Sequence, residues 1–90
     1  MRRIRFVVEG RVQGVGFRQA TWLTATRLGL AGWVTNDRWD RRRVLGEAEG
    51  EEADVKAFQE WLAGGPPLAR VQRVLVEDLP PEGPGPFLIR

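Results

Sequence analysis

In "IRFVVEGRV", from Ile4 to Val12, apolar and polar positions alternate and β-branched and aromatic residues dominate, which predicts a strand. "QGVG" interrupts the alternation, and from Phe17 the period changes. Phe17, Ala20, Thr21, Thr24, Ala25 and Leu28 recur at helical spacing, and Gly29 follows as a residue suited to end the helix. "LAGWVTN" predicts a second strand closing at Asn36, polar "DRWDRR" a turn, and "RVLGEAEG" a third strand. Glu51, Glu52 and Asp54 then put negative charge where the dipole of a second helix favours it. Val55, Phe58 and Leu62 form one apolar stripe on that helix, with Trp61 beside it, until "GGPP" stops it. "RVQRVLVEDL" alternates as a fourth strand, with Val71, Val74 and Val76 contributing to the sheet. "PPEGPGP" reads as a rigid loop, and "FLIR" supplies a short edge strand.

The order β-α-β-β-α-β, with an added terminal strand, is that of the α+β, ferredoxin-like split βαβ sandwich. The expectation is an antiparallel sheet with two helices on one face, formed by one domain over residues 1–90. The first βαβ unit makes its two strands parallel through a right-handed crossover. "QGVGFR" and Asn36 should therefore meet at one edge of the sheet, the kind of edge at which ligands bind in parallel units.

Composition narrows the chemistry that such an edge can perform. The 90 residues contain no cysteine, histidine, serine or tyrosine, which excludes disulfides, thiolate and imidazole metal sites, serine triads and histidine bases. What remains is carboxylates, four threonines, Lys56 and thirteen arginines. Chemistry built from this set works by binding and orienting, with charge supplied by arginine and backbone amides. The net charge of +2 makes the chain mildly cationic and not strongly basic. No apolar run approaches the roughly 18 residues of a membrane span, and the N-terminus lacks a secretory apolar stretch, so the expected location is cytoplasmic.

The loop before the first helix is the strongest chemical feature. A glycine-containing turn running into a helix N-terminus presents free N–H groups and the positive end of the dipole, a cradle for an anion. Arg18 in the first turn opposes that dipole unless an oxyanion lies between it and the amides, and its forked guanidinium suits two phosphate oxygens. The pattern is neither a Walker loop nor a dinucleotide fingerprint. On glycine spacing alone, a plain tight turn with a solvated Arg18 remains open.

"GRVQGVGFR" followed by "LGLAGWVTN" resembles the two signature segments of the acylphosphatase family, and "GPPLARVQRV" and the ending "FLIR" extend the resemblance over essentially the whole chain. The resemblance implies hydrolysis of small acyl phosphates to carboxylate and inorganic phosphate, with no metal and no cofactor. By the same resemblance Arg18 and Asn36 are the catalytic pair. The amides of Gln13, Gly14, Val15, Gly16, Phe17 and Arg18 bind the phosphate.

One segment departs from the family pattern. "NDRWDRRRVLG" is about two residues longer than the usual hairpin and lacks the glycine that often follows the asparagine. Its cluster of Arg38, Arg41, Arg42 and Arg43 reads first as a solvated hairpin tip, with substrate steering and RNA contact as the alternatives. Glu47, Glu49, Glu51 and Glu52 read as solvated strand and helix-start residues. Trp33 and Trp61 read as packing residues, Trp22 as partly packed and Trp39 as exposed. The competing functional readings are a nucleic-acid-binding module and a regulatory anion-binding domain without turnover. Only Phe6 on the first strand and no aromatic on the third would serve RNA stacking, which argues against nucleic acid as a partner. A monomer is expected.

Overall fold

The computed structural model describes residues Met1–Arg90. Its elements are β1 (Arg2–Arg11), α1 (Phe17–Arg27), β2 (Ala31–Asn36), β3 (Arg43–Gly50), α2 (Glu52–Gly64), β4 (Arg70–Leu79) and β5 (Phe87–Ile89). The sheet order is β4-β1-β3-β2-β5. β1 lies antiparallel between β3 and β4, and β3 antiparallel between β1 and β2.

The sheet departs from the expected all-antiparallel arrangement at one edge. β5 runs parallel to β2, pairing Gly32 with Phe87 and Val34 with Ile89, so the five-stranded sheet is mixed. The cause is the route of the chain after β4. Residues 80–86 carry it from one edge of the sheet to the other, and it enters beside β2 in the same direction.

Alternation along β1 sends Ile4, Phe6 and Val8 to the covered face, where they meet Val34, Val44 and Ala48 from the other strands. α2 closes this face over β1 and β4 with Val55, Phe58 and Leu62, while α1 lies over β2 and β5. Phe58 is central: its ring packs edge-on against Phe6 at 5.3 Å and against Phe87 at 6.2 Å between centroids. α1 contributes Phe17, Thr21 and Ala25, spaced four apart on one face. Thr21 can sit in this core because its hydroxyl donates to the Phe17 carbonyl oxygen at 2.7 Å, which satisfies the buried oxygen. Leu28 caps the helix and Gly29 follows it, as the pattern predicts.

The expectation that Glu47 and Glu49 are solvated also needs correction, since Arg3 Nε donates to Glu47 at 2.8 Å and leaves its side chain 19% exposed. Glu49 is 1% exposed and is not a solvated strand residue. The proline-rich loop covers it: Glu82 N–H donates to Oε1 at 2.7 Å and Gly83 N–H to Oε2 at 2.9 Å. Arg3 Nη1 also donates to Oε1, at 3.0 Å. Alternation correctly puts Glu49 on the outer face of the sheet, but it carries no information about a remote loop lying over that face.

Candidate active site

The loop between β1 and α1 turns because two of its residues adopt left-handed backbone. Gly14 and Gly16 have φ of 74° each, a region that costs other L-residues about 1–2 kcal/mol. Gly16 is also the N-cap of α1 and offers no side-chain cap. The first helical bond runs from Ala20 N–H to the Gly16 carbonyl oxygen, so the N–H groups of Phe17, Arg18 and Gln19 have no acceptor inside the helix. No acidic residue occupies the first turn. The amides at this helix end are thus neither capped nor neutralised by the chain's own side chains.

β3 is the strand that brings the second half of the site within reach. Glu9 of β1 pairs with Arg43, and Asn36 of β2 pairs with Val44, so both parallel strands end beside the start of β3. A recess of about 230 Å³ opens between them, lined by Val12, Gly14, Gly16, Phe17, Arg18, Gln19, Asn36 and Ile89. It contains one cationic side chain, Arg18, and no carboxylate.

Of the residues singled out in the sequence, Gly14, Gly16, Phe17, Arg18 and Asn36 meet at this recess. Gln13 and Val15 do not line it. Val15 packs against the core instead. The Gln13 side chain turns toward the β2–β3 hairpin, where Nε2 faces the carbonyl oxygens of Asp37, Asp40 and Arg43 at 3.1, 3.2 and 2.9 Å.

The parallel β5 adds residues that sequence reasoning missed. Ile89 forms part of the wall, and the backbone oxygen of Arg90 accepts from Arg18 Nη1 at 3.2 Å. Arg90 is itself held, its N–H donating to the Val34 carbonyl oxygen at 2.8 Å and its guanidinium lying 4.9 Å from the Trp33 ring centroid. The apolar run "FLIR" signals a strand, but its partner and direction depend on tertiary packing.

The hairpin tip is more ordered than a solvated cluster of arginines implies. Asp37 Oδ1 accepts from the N–H groups of Trp39 and Asp40, and Asp40 Oδ1 from that of Arg42. Arg42 donates to Gln72, and Arg43 Nε donates to Glu9 at 2.7 Å. Arg43, together with Arg73, holds the Glu9 carboxyl below its ordinary range. Trp39 is 88% exposed. No group of three or more His, Cys, Asp or Glu side chains converges in a way that would hold a metal ion.

Known proteins share this fold and much of this sequence. The acylphosphatase family model matches residues 4–89. An acylphosphatase of Pseudomonas paraeruginosa is 57% identical over 83 residues, covering 92% of this chain and 89% of its own length. One from Anaeromyxobacter dehalogenans is 51% identical over 89 residues, covering 98% and 94%. The crystal structure of acylphosphatase from Bacillus subtilis matches with a TM-score of 0.93 at 40% identity, over 100% of this chain and 99% of that one. With a family match over nearly its full length and a shared fold, this chain belongs to the acylphosphatase family of hydrolases.

Proposed function

We propose that the chain hydrolyses the carboxyl–phosphate bond of small acyl phosphates, with the phosphoryl group held by Arg18 and the amides of Gln13 to Arg18, and the attacking water oriented by Asn36. The observation that carries this reading is the meeting of Gly14, Gly16, Arg18 and Asn36 at one recess free of carboxylates.

The water oxygen attacks phosphorus while the bond from phosphorus to the acyl oxygen breaks, and the electron pair leaves with the carboxylate. A carboxylic acid has a pKa near 4 on the side-chain scale, so the leaving group departs without a general acid. The loose phosphoryl transition state spreads charge over three oxygens, and fixed donors aimed at them supply most of the stabilisation. Arg18 and the helix-end amides are such donors. Asn36 is not a base near neutral pH. It positions the water, whose proton passes to the substrate's own phosphoryl oxygen. Neither step calls on a metal or a cofactor. The same reading takes the chain as a cytoplasmic monomer. It treats Arg42 and Arg43, engaged by Gln72 and Glu9, as framework of the hairpin and not as a nucleic-acid contact.

The test is turnover of benzoyl phosphate with chelator present. Arg18→Ala should lower kcat/KM by about 100- to 1,000-fold, the loss expected on removing an oxyanion donor. Asn36→Ala should lower kcat by at least about 100-fold yet retain competitive inhibition by inorganic phosphate. Wild-type turnover abolished by chelator, or retained in folded Asn36→Ala, would overturn the reading.

A further inference from the structure

We infer that Gln13 is a positioning residue that locks the long β2–β3 hairpin, and with it Asn36, onto the phosphate loop through its side-chain amide. The inference rests on the reading of Asn36 given above and adds a residue whose side chain touches neither phosphate nor water.

The geometry is specific. Gln13 lies next to Gly14, the first glycine of the loop, while Asp37 follows Asn36 directly. Its Nε2 sits among the carbonyl oxygens of Asp37, Asp40 and Arg43, all within 2.9–3.2 Å. Three acceptors surrounding one end of the side chain fix its orientation, because only the NH₂ group can donate to them. The same loop is tied to itself by Asp37 N–H donating to the Arg43 carbonyl oxygen and Arg43 N–H to that of Asp40. The three carbonyls therefore form a prepared receptor for a two-proton donor, and a glutamine in the loop two residues beyond β1 reaches it from 24 to 30 residues away in sequence.

The consequence lies at Asn36. Among the side-chain hydrogen bonds that define the hairpin, none engages the Asn36 amide, so its position is set by the backbone on either side. On one side β2 pairs with β3. On the other, Asp37 is gripped by Gln13. Removing the grip leaves the phosphate cradle in place, because that cradle is made of backbone amides and Arg18, and loosens the segment that aims the water, which then keeps only its backbone ties. An error of about 1 Å in such a placement costs on the order of 100-fold in rate. The role of the extended hairpin follows: it provides the carbonyl receptor.

The experiment compares wild type, Gln13→Met, Gln13→Glu and Asn36→Ala. Methionine keeps the length and packing of the stem without a donor. Glutamate keeps the shape and presents oxygens to the three carbonyls, so it serves as the second variant if Gln13→Met does not fold. Turnover of benzoyl phosphate should fall about 10- to 100-fold in kcat, with the inhibition constant of inorganic phosphate within twofold of wild type. In ¹⁵N-labelled protein the Asn36 side-chain amide resonance should move. A kcat within threefold of wild type, an unmoved Asn36 resonance, or a parallel loss of phosphate affinity would overturn the inference. Undiminished turnover in Asn36→Ala would overturn the water-orienting reading, while the Asn36 resonance in the Gln13 variants would still report whether the grip positions it.

Discussion

Arg3 and Glu49 form an ion pair beneath the 80–86 loop, with Arg3 Nη1 donating to Glu49 Oε1 at 3.0 Å and the two side chains 7% and 1% exposed. Arg3 Nε also donates to Glu47 at 2.8 Å and lies 3.4 Å from Glu82, so one guanidinium faces three carboxylates, two of them on the same face of β3. With the N–H groups of Glu82 and Gly83 also directed at Glu49, the pair anchors the loop that delivers β5 to the site.

Substituting Glu49 should therefore be felt at two distances. Glu49→Gln removes one of the carboxylates facing Arg3, leaving Glu47 and Glu82, and replaces one acceptor oxygen by a donor facing an N–H group. A backbone N–H left facing a donor predicts destabilisation of about 1–3 kcal/mol, read as a lower urea midpoint at unchanged slope. Because β5 carries Ile89 and Arg90 to the recess, kcat/KM for benzoyl phosphate should fall in the same variant under conditions where it remains folded.

The same carboxyl sets the acid side of the stability profile. The Glu82 N–H, the Gly83 N–H and Arg3 hold Glu49 below the usual carboxylate range, against the opposing effect of burial. A carboxyl depressed in the folded state binds protons more readily when unfolded. Its stabilisation is thus fully present above the unfolded value near 4.3 and is lost as pH falls through the folded value. Glu9, lowered first by Arg43 and then by Arg73, acts in the same direction. Urea midpoints measured from pH 7 down to pH 2.5 should be flat above about pH 5 and fall below it. The fall should be shallower in Glu49→Gln.

At Gly16 the penalty is one of backbone conformation. A Cβ built there meets no heavy atom within 4 Å, so space does not exclude a side chain, whereas φ of 74° disfavours one. Gly16→Ala should lower stability by about 1–2 kcal/mol, a drop in Tm of several degrees for a chain this size. Gly16→Asn should lose less than half as much, because asparagine tolerates the left-handed region better. Equal losses in the two variants would point to a steric cause instead.

Trp39 at the hairpin tip supplies a contrasting case. Its ring meets the Arg38 guanidinium at 5.4 Å and is otherwise in solvent. Trp39→Ser should change stability by less than about 1 kcal/mol and leave kcat unchanged, since the hydrogen bonds that hold the hairpin use the Trp39 backbone and not its ring.

Much of this molecule follows from local pattern. Period-two alternation in "IRFVVEGRV", the four-residue spacing of Phe17, Thr21 and Ala25, and the Val55, Phe58, Leu62 stripe each describe one element's own buried face, which the element carries wherever it packs. Element order then limits the connections to a split βαβ, and the right-handed crossover brings the glycine loop and Asn36 to one edge. Arg18 and Asn36 were legible for that reason, since each sits at an element end whose position follows from topology. The direction of β5, the burial of Glu49, the grip of Gln13 on three carbonyls and the contact of Arg18 with Arg90 were not. Each depends on groups between 24 and 72 residues apart, and no periodicity within either segment encodes the other's position. Alternation says which face of a strand a residue occupies. What covers that face is settled when the whole chain packs and buried polar groups find partners.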